Sequence, residues 1–201
     1  MNRQEIVYRY VACGYIDGRK KFTQLEISNA LRLSLSTVNG AVKNLEEINA
    51  VRINMRSFEV ISLERLLLYW ATKRKFAKDI AYQTRVDAPV REIERGMPED
   101  IAFTCYTAYK LIFNDVPADY SEVYAYATED SLNEIKRRFA KVDGPSNLVV
   151  LSSDENMEGM IKNKLLEHSS VCKAQLFADL WNIKAWYARD FVEALEKKLG
   201  I

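Results

Sequence analysis

Between residues 22 and 61 polar and apolar positions alternate in a pattern that few folds accommodate. Thr23 stands three residues ahead of Glu26, the spacing of a capping box, and Leu25, Ile27, Ala30 and Leu31 supply the apolar side of a short helix. After a break, a second helix opens near Ser34 or Ser36. Val38, Ala41, Val42 and Leu45 form its apolar stripe at helical spacing. Its other side carries Ser36, Thr37, Asn39, Gly40, Lys43 and Asn44. Two short apolar runs, Val51-Arg52-Ile53 and Phe58-Glu59-Val60-Ile61, then flank Asn54-Met55-Arg56-Ser57 and predict a hairpin. Two helices joined by a tight turn and followed by a hairpin read as a winged helix-turn-helix. In that arrangement the second helix enters the major groove of DNA and the hairpin touches its backbone.

The residues ahead of this pattern complete a three-helix core. Ile6, Val7, Tyr10 and Val11 recur at helical spacing, Gly14 is a candidate helix end, and Asp17-Gly18 is a turn signal before Arg19-Lys20-Lys21. Ser36, Thr37, Asn39 and Lys43 are the small polar, amide and cationic side chains that suit base edges. Lys21, Arg32, Arg52 and Arg56 are placed to neutralise phosphates. Gly40 lowers helix stability by about 1 kcal/mol relative to Ala; it either permits a close approach or is simply tolerated.

Charge divides the chain. Residues 1–86 hold 15 Lys and Arg against 8 Asp and Glu, a balance of +7, whereas residues 87–201 hold 14 against 20, a balance of −6. A basic first half is the electrostatic footprint of a phosphate-binding module, and the acidic remainder faces away from DNA or meets another partner. No run of 18 apolar residues exists, so no membrane partner is expected. The polar start Met1-Asn2-Arg3-Gln4-Glu5 has no apolar signal core. Three widely spaced cysteines, Cys13, Cys105 and Cys172, predict reduced thiols and a cytoplasmic location. With no CxxC and a single histidine, His168, a zinc site is not expected.

Domain boundaries are read at 1–62 for the winged unit, 63–82 for a linker helix and 83–201 for a small α/β domain. The linker pattern is Leu63, Leu66, Leu67, Tyr69, Trp70, Phe76 and Ile80, with Lys73-Arg74-Lys75 and Lys78 interleaved. It packs on the winged unit, serves a dimer, or offers a basic stripe. Beyond it, Ala81–Val86 is a candidate strand, Val90–Arg95 a short helix or turn, and Ile101–Asn114 an apolar helix. Val123–Ala127 and Leu148–Leu151 read as strands, with a helix at Ser131–Phe139 between them. Helices are expected near Leu165, at Lys173–Trp181 and at Trp186–Leu199. Strands alternating with helices give an overall α+β class with a C-terminal α/β layer. That layer is compatible with a nucleotidyltransferase-like fold. A working transferase needs a Gly-Ser turn and paired carboxylates holding two metals. Glu129-Asp130 has no Gly-Ser before it and Asp154-Glu155 has no partner pair, so the expected state is catalytically degenerate. No P-loop, dinucleotide fingerprint or GxSxG is present. Cys105 lies in an apolar pattern and reads as an inert buried thiol, and His168 as a helix-end residue.

Four segments carry a resemblance. They are Ala102-Phe103-Thr104-Cys105-Tyr106-Thr107-Ala108-Tyr109, Val123-Tyr124-Ala125-Tyr126-Ala127, Asn147-Leu148-Val149-Val150-Leu151 with Asp154-Glu155, and Gln175-Leu176-Phe177-Ala178-Asp179-Leu180-Trp181 leading into Ala185–Leu195. Through them residues 101–199 resemble the C-terminal domain of the DNA-binding antitoxins of type IV toxin–antitoxin systems, the AbiEi kind. A winged helix precedes that domain in the family. The resemblance implies DNA binding, promoter autoregulation, and a second domain that aids assembly or neutralises a cognate toxin. The expected protein is therefore a homodimeric, cofactor-free, non-enzymatic regulator that binds double-stranded DNA. The rival readings are a protein-binding adaptor that uses the winged helix and the acidic domain, and a metal-dependent nucleotidyltransferase-like enzyme.

Overall fold

The computed structural model describes residues 1–201 as an α+β fold with ten α-helices and two small sheets. Helix α1 (Arg3–Ile16) opens with a capping box of Asn2 and Glu5. It runs two residues past Gly14, because that glycine is where the Phe22 ring lies against the helix; a Cβ there would stand 2.9 Å from the ring. Gly18 turns the chain at φ +95° into β1 (Lys21–Phe22). Helix α2 (Gln24–Leu31) carries the Thr23–Glu26 capping box expected from sequence. Arg32, at φ 53°, ends it. Helix α3 (Leu35–Glu47) starts at the Ser34 cap and buries Val38, Ala41, Val42 and Leu45 as the spacing predicts. Strands β2 (Val51–Ile53) and β3 (Phe58–Val60) follow, and the sheet order is β1-β3-β2, all antiparallel. Inward residues of this sheet are Phe22, Val51, Phe58 and Val60. Phe22 stacks on Phe58 at 5.7 Å between ring centroids. Leu25 and Ala30, expected in the core, are exposed: with eight residues, α2 buries only Ile27 and Leu31.

Helix α4 covers Leu63–Lys73 and does not extend to residue 82. Arg74 leaves it in extended conformation (ψ 121°). The reason is electrostatic. The Arg74 side chain is buried, and a buried guanidinium needs carboxylate partners. It finds Asp79 (2.6 Å), Asp179 (3.1 Å) and Glu5 (3.5 Å), and donates from Nη2 to the Tyr126 hydroxyl at 2.8 Å. A continuous helix would carry Phe76 and Asp79 away from it. Instead a 3-10 turn at Phe76–Asp79 leads into β4 (Ile80–Thr84). The basic stripe therefore keeps Lys73, Lys75 and Lys78 on the surface and loses Arg74 to the core.

Helix α5 (Val90–Gly96) precedes β5 (Ile101–Thr104), which turns directly into α6 (Cys105–Phe113) at Cys105, φ 53°. The helix expected from Ile101 is thus a strand in its first four residues. A continuous apolar run is ambiguous between the two forms until a pairing partner exists, and β6 (Val123–Ala127) supplies that partner through Ile101–Ala127 to Thr104–Tyr124. Helix α7 (Glu129–Arg138) connects β6 to the parallel strand β7 (Leu148–Ser152), and β4 closes the order β4-β7-β6-β5. Val123, Ala125, Ala127, Leu148 and Val150 face α5 and α7. Tyr126 and Leu151 face a core shared with α1, α4, α6 and helices α9 (Lys173–Trp181) and α10 (Ala188–Leu199). That core runs from Ile6 to Leu195, so the two sheets are joined by common apolar packing and not by a free linker. Helix α8 spans Glu155–Lys162, near Leu165 as expected; Leu165 itself lies beyond its end, after Lys164 at φ 53°, and is exposed.

Candidate functional site

The open side of α3 is built by exclusion. Its aliphatic stripe is fully buried against α1 and the three-stranded sheet, which turns Ser36 and Lys43 outward and leaves Asn39 half-exposed. The burial of Val38, Val42 and Leu45 holds this orientation at about 1.5–3 kcal/mol per side chain. The Ser34 hydroxyl accepts the Thr37 N–H and lies 2.8 Å from the Thr37 hydroxyl, so Thr37 is a half-buried member of the cap. Asn44 leaves the open face and donates to the Tyr8 hydroxyl at 3.1 Å. Gly40 faces α1: a Cβ would sit 3.4 Å from Gln4 Nε2, so its closeness serves helix packing.

The predicted cations divide between two surfaces. Lys21 and Arg52 are both cross-strand partners of Glu59, on the outward side of the β1-β3-β2 sheet. Arg52 reaches Glu59 at 3.4 Å, which offsets part of its charge. Arg56 is exposed in the hairpin turn, where the Asn54 N–H donates to the Ser57 carbonyl. Beside it Met55 is 96% exposed. Arg32 is exposed in the link between α2 and α3. Two further exposed residues neighbour these positions in the chain. Leu35, at the first position of α3, is half exposed. Its spacing, three residues before Val38 and seven before Val42, continues the buried stripe, so periodicity gives no sign of its exposure. Exposed Lys20 completes the basic run before β1. Glu46 and Glu47 are exposed in the last turn of α3, so Ser36 and Asn39 lie in its first half and Lys43 stands just ahead of the acidic end. This inventory of hydroxyl, amide, ammonium and guanidinium groups can hydrogen-bond base edges and phosphates.

The carboxylates weighed for metal chemistry do other work. Glu129 and Asp130 are exposed in the first turn of α7, where they meet the positive end of the helix dipole. Asp154 caps α8 and receives both guanidinium arms of Arg9, at 2.7 and 2.8 Å; Arg9 also donates to Gln175 Oε1 at 3.1 Å. Burial alone would raise the Asp154 carboxyl. The Arg9 guanidinium overrides it and holds the group below the usual carboxylate range. Burial pushes the Cys105 thiol well up, with the Asp179 charge adding to it, which leaves no thiolate to react near neutral pH. His168 is exposed in a 3-10 turn.

The cysteine expectation is corrected. Cys13 on α1 and Cys172 at the start of α9 form a disulfide across 159 residues of sequence, and Cys105 alone is a free thiol. Packing of α1 on α9 brings the two together; sequence spacing cannot register that approach.

Comparison with known proteins finds no family model that matches the chain, and no matching curated protein or solved structure. No helix is long and apolar enough to cross a membrane.

Proposed function

We propose that residues 1–62 are a winged helix-turn-helix and that the chain is a DNA-binding transcriptional regulator. One observation carries the reading: α3 buries its aliphatic stripe completely and leaves Ser36, Asn39 and Lys43 on an uncovered face. The helix order and the three-stranded sheet behind it support the assignment, as does the +7 balance of residues 1–86. In this reading Ser36, Asn39 and Lys43 meet base edges, Thr37 fixes the helix start, and Lys21, Arg32, Arg52 and Arg56 meet phosphates. The narrower form is a dimeric, antitoxin-like autorepressor, supported by the resemblance of residues 101–199. A toxin gene beside its own would be the cheapest support for that form.

The test is gel-shift titration of the full chain on duplex from its own upstream region at two salt concentrations. Asn39→Ala should cost about 1–3 kcal/mol on the preferred sequence and little on random duplex. Arg56→Ala should weaken both and lower the slope of log K against log salt by about one unit. Wild-type binding by both variants would remove these residues from the interface. A second reading, protein docking, is favoured by Trp181 at the end of α9 and Trp186 beyond it, which are 44% and 81% exposed. Absence of any duplex binding by the full chain would move it to first place.

A further inference from the structure

We propose that the Cys13–Cys172 disulfide is a site of thiol–disulfide exchange with small aminothiols, which reach it through the cavity between α1, α2, α8 and the chain leading into α9 and become joined to Cys13. Both cysteines line this cavity, whose volume is about 620 Å³. Pockets that enclose small molecules span about 300–1,000 Å³. Both cysteines are half-buried. Cys13 lies within α1, where neighbouring turns cover the backbone, so the exposed part of the residue is its Cβ and Sγ. Ile6, Leu31, Met157, Met160 and Val171 form apolar walls around the approach.

The bond is electrically lopsided. Cys13 sits in the last turn of α1, at the negative end of that helix dipole, with Asp17 one turn further on. Cys172 is the N-cap of α9, at the positive end of its dipole, with Lys173 next in the chain. A thiolate is therefore favoured on Cys172 and disfavoured on Cys13. In exchange, the sulfur whose thiolate is more stable leaves faster. An incoming thiolate thus bonds to the Cys13 Sγ, the Sγ–Sγ bond breaks, and its electron pair departs with the Cys172 sulfur, which takes a proton from water. A second small thiolate attacks the small-molecule sulfur of the mixed disulfide and releases Cys13. The sum oxidises two small thiols to their disulfide and reduces the protein bond to two thiols.

Charge selects among small thiols. Of the charged residues in the lining, Arg9 is matched by Asp154, and Arg19 is paired with Glu26. Asp17, Glu167 and Lys173 are exposed and form no ion pair, so two carboxylates stand against one ammonium. This acidic balance attracts a thiol that carries an ammonium group and repels one that carries an anion. An aminothiol with a short hydrocarbon body meets both the charge and the apolar walls.

The experiment treats the oxidised full chain with cysteamine, mercaptoethanol and mercaptoethanesulfonate at low salt, quenches early with iodoacetamide, and locates the adducts by peptide mass spectrometry. Each rate is divided by that of the same thiol on the urea-unfolded chain, which cancels differences in intrinsic nucleophilicity. Thermal unfolding establishes that each variant is folded. Wild type should carry the small thiol on Cys13 and the alkyl group on Cys172. Cysteamine should react about tenfold faster than the sulfonate, with mercaptoethanol between them. Asp17→Asn combined with Glu167→Gln should erase that order, and Met160→Trp, which fills the cavity, should slow all three thiols severalfold. Adducts on Cys172, one relative rate for all three thiols, or wild-type rates in Met160→Trp overturn the proposal. No DNA enters the assay, so its outcome is independent of the regulator reading.

Discussion

Arg9 and Asp154 connect the first helix to the start of α8 across 145 residues of sequence, and their side chains are only 6% and 9% exposed. With charge centres about 4 Å apart and an effective dielectric near 20, the attraction is about 4 kcal/mol. Against it stands the lost hydration of two ions, several kcal/mol each. The pair as a whole thus contributes little relative to an uncharged replacement, whereas removing one member leaves the other buried and uncompensated. Arg9→Met and Asp154→Asn should each cost about 3–5 kcal/mol. Asparagine keeps the α8 cap, so the second loss is one of charge. The double variant should cost no more than either single one, which makes the coupling about 3 kcal/mol or more, at or above the top of the usual range for residues in contact.

Urea unfolding at pH 7, followed by far-ultraviolet circular dichroism, measures all four corners of this cycle. The pH profile adds a sign. In wild type the folded-state carboxyl of Asp154 lies below its ordinary value of 3.8. Its stabilisation is therefore complete above that value and is lost as pH falls through the lower folded one. In Arg9→Met burial, the largest single influence, is opposed only by the cap hydrogen bond from the Met157 N–H and by the N-terminal charge, so the carboxyl is raised and stability falls as pH climbs from acid toward neutral. Single-variant losses that add within about 0.5 kcal/mol, or an Arg9→Met profile parallel to wild type, would refute the reasoning.

Two further outcomes check the packing. Gly14→Ala should destabilise by up to about 2 kcal/mol, because overpacking against the Phe22 ring costs about 1–3 kcal/mol against a helix-propensity gain of about 1 kcal/mol. Gly159→Ala in α8, where nothing lies within 4 Å of an added Cβ, should stabilise by about 0.5–1 kcal/mol. Paired thermal melts whose shifts share one sign would contradict this. For the cysteines, alkylation of unfolded protein without reductant should label Cys105 alone, and labelling after reduction should reach all three. Three labels without reductant would deny the disulfide.

Local physics made much of the first 61 residues legible in the sequence. The capping box at Thr23 and Glu26, the Ser34 cap, the stripe of Val38, Ala41, Val42 and Leu45 and the β2–β3 hairpin each follow from residues within a few positions of one another. The strands at Val123–Ala127 and Leu148–Ser152 and the helix Lys173–Trp181 followed in the same way. The open face of α3 was legible too, since burying one stripe of a helix exposes the opposite one.

Tertiary structure decided what depended on distant partners. Ile101–Thr104 is a strand because β6 lies beside it, and α4 ends at Lys73 because Arg74 finds carboxylates at positions 5, 79 and 179. The Cys13–Cys172 bond, the Arg9–Asp154 pair and the cavity at Gln175 all arise where α1 packs against α8 and α9. Periodicity reports which side of an element is apolar but carries no information about which other element will cover it. Charge pairing and cavity shape are set by that second choice, made across more than a hundred residues of chain.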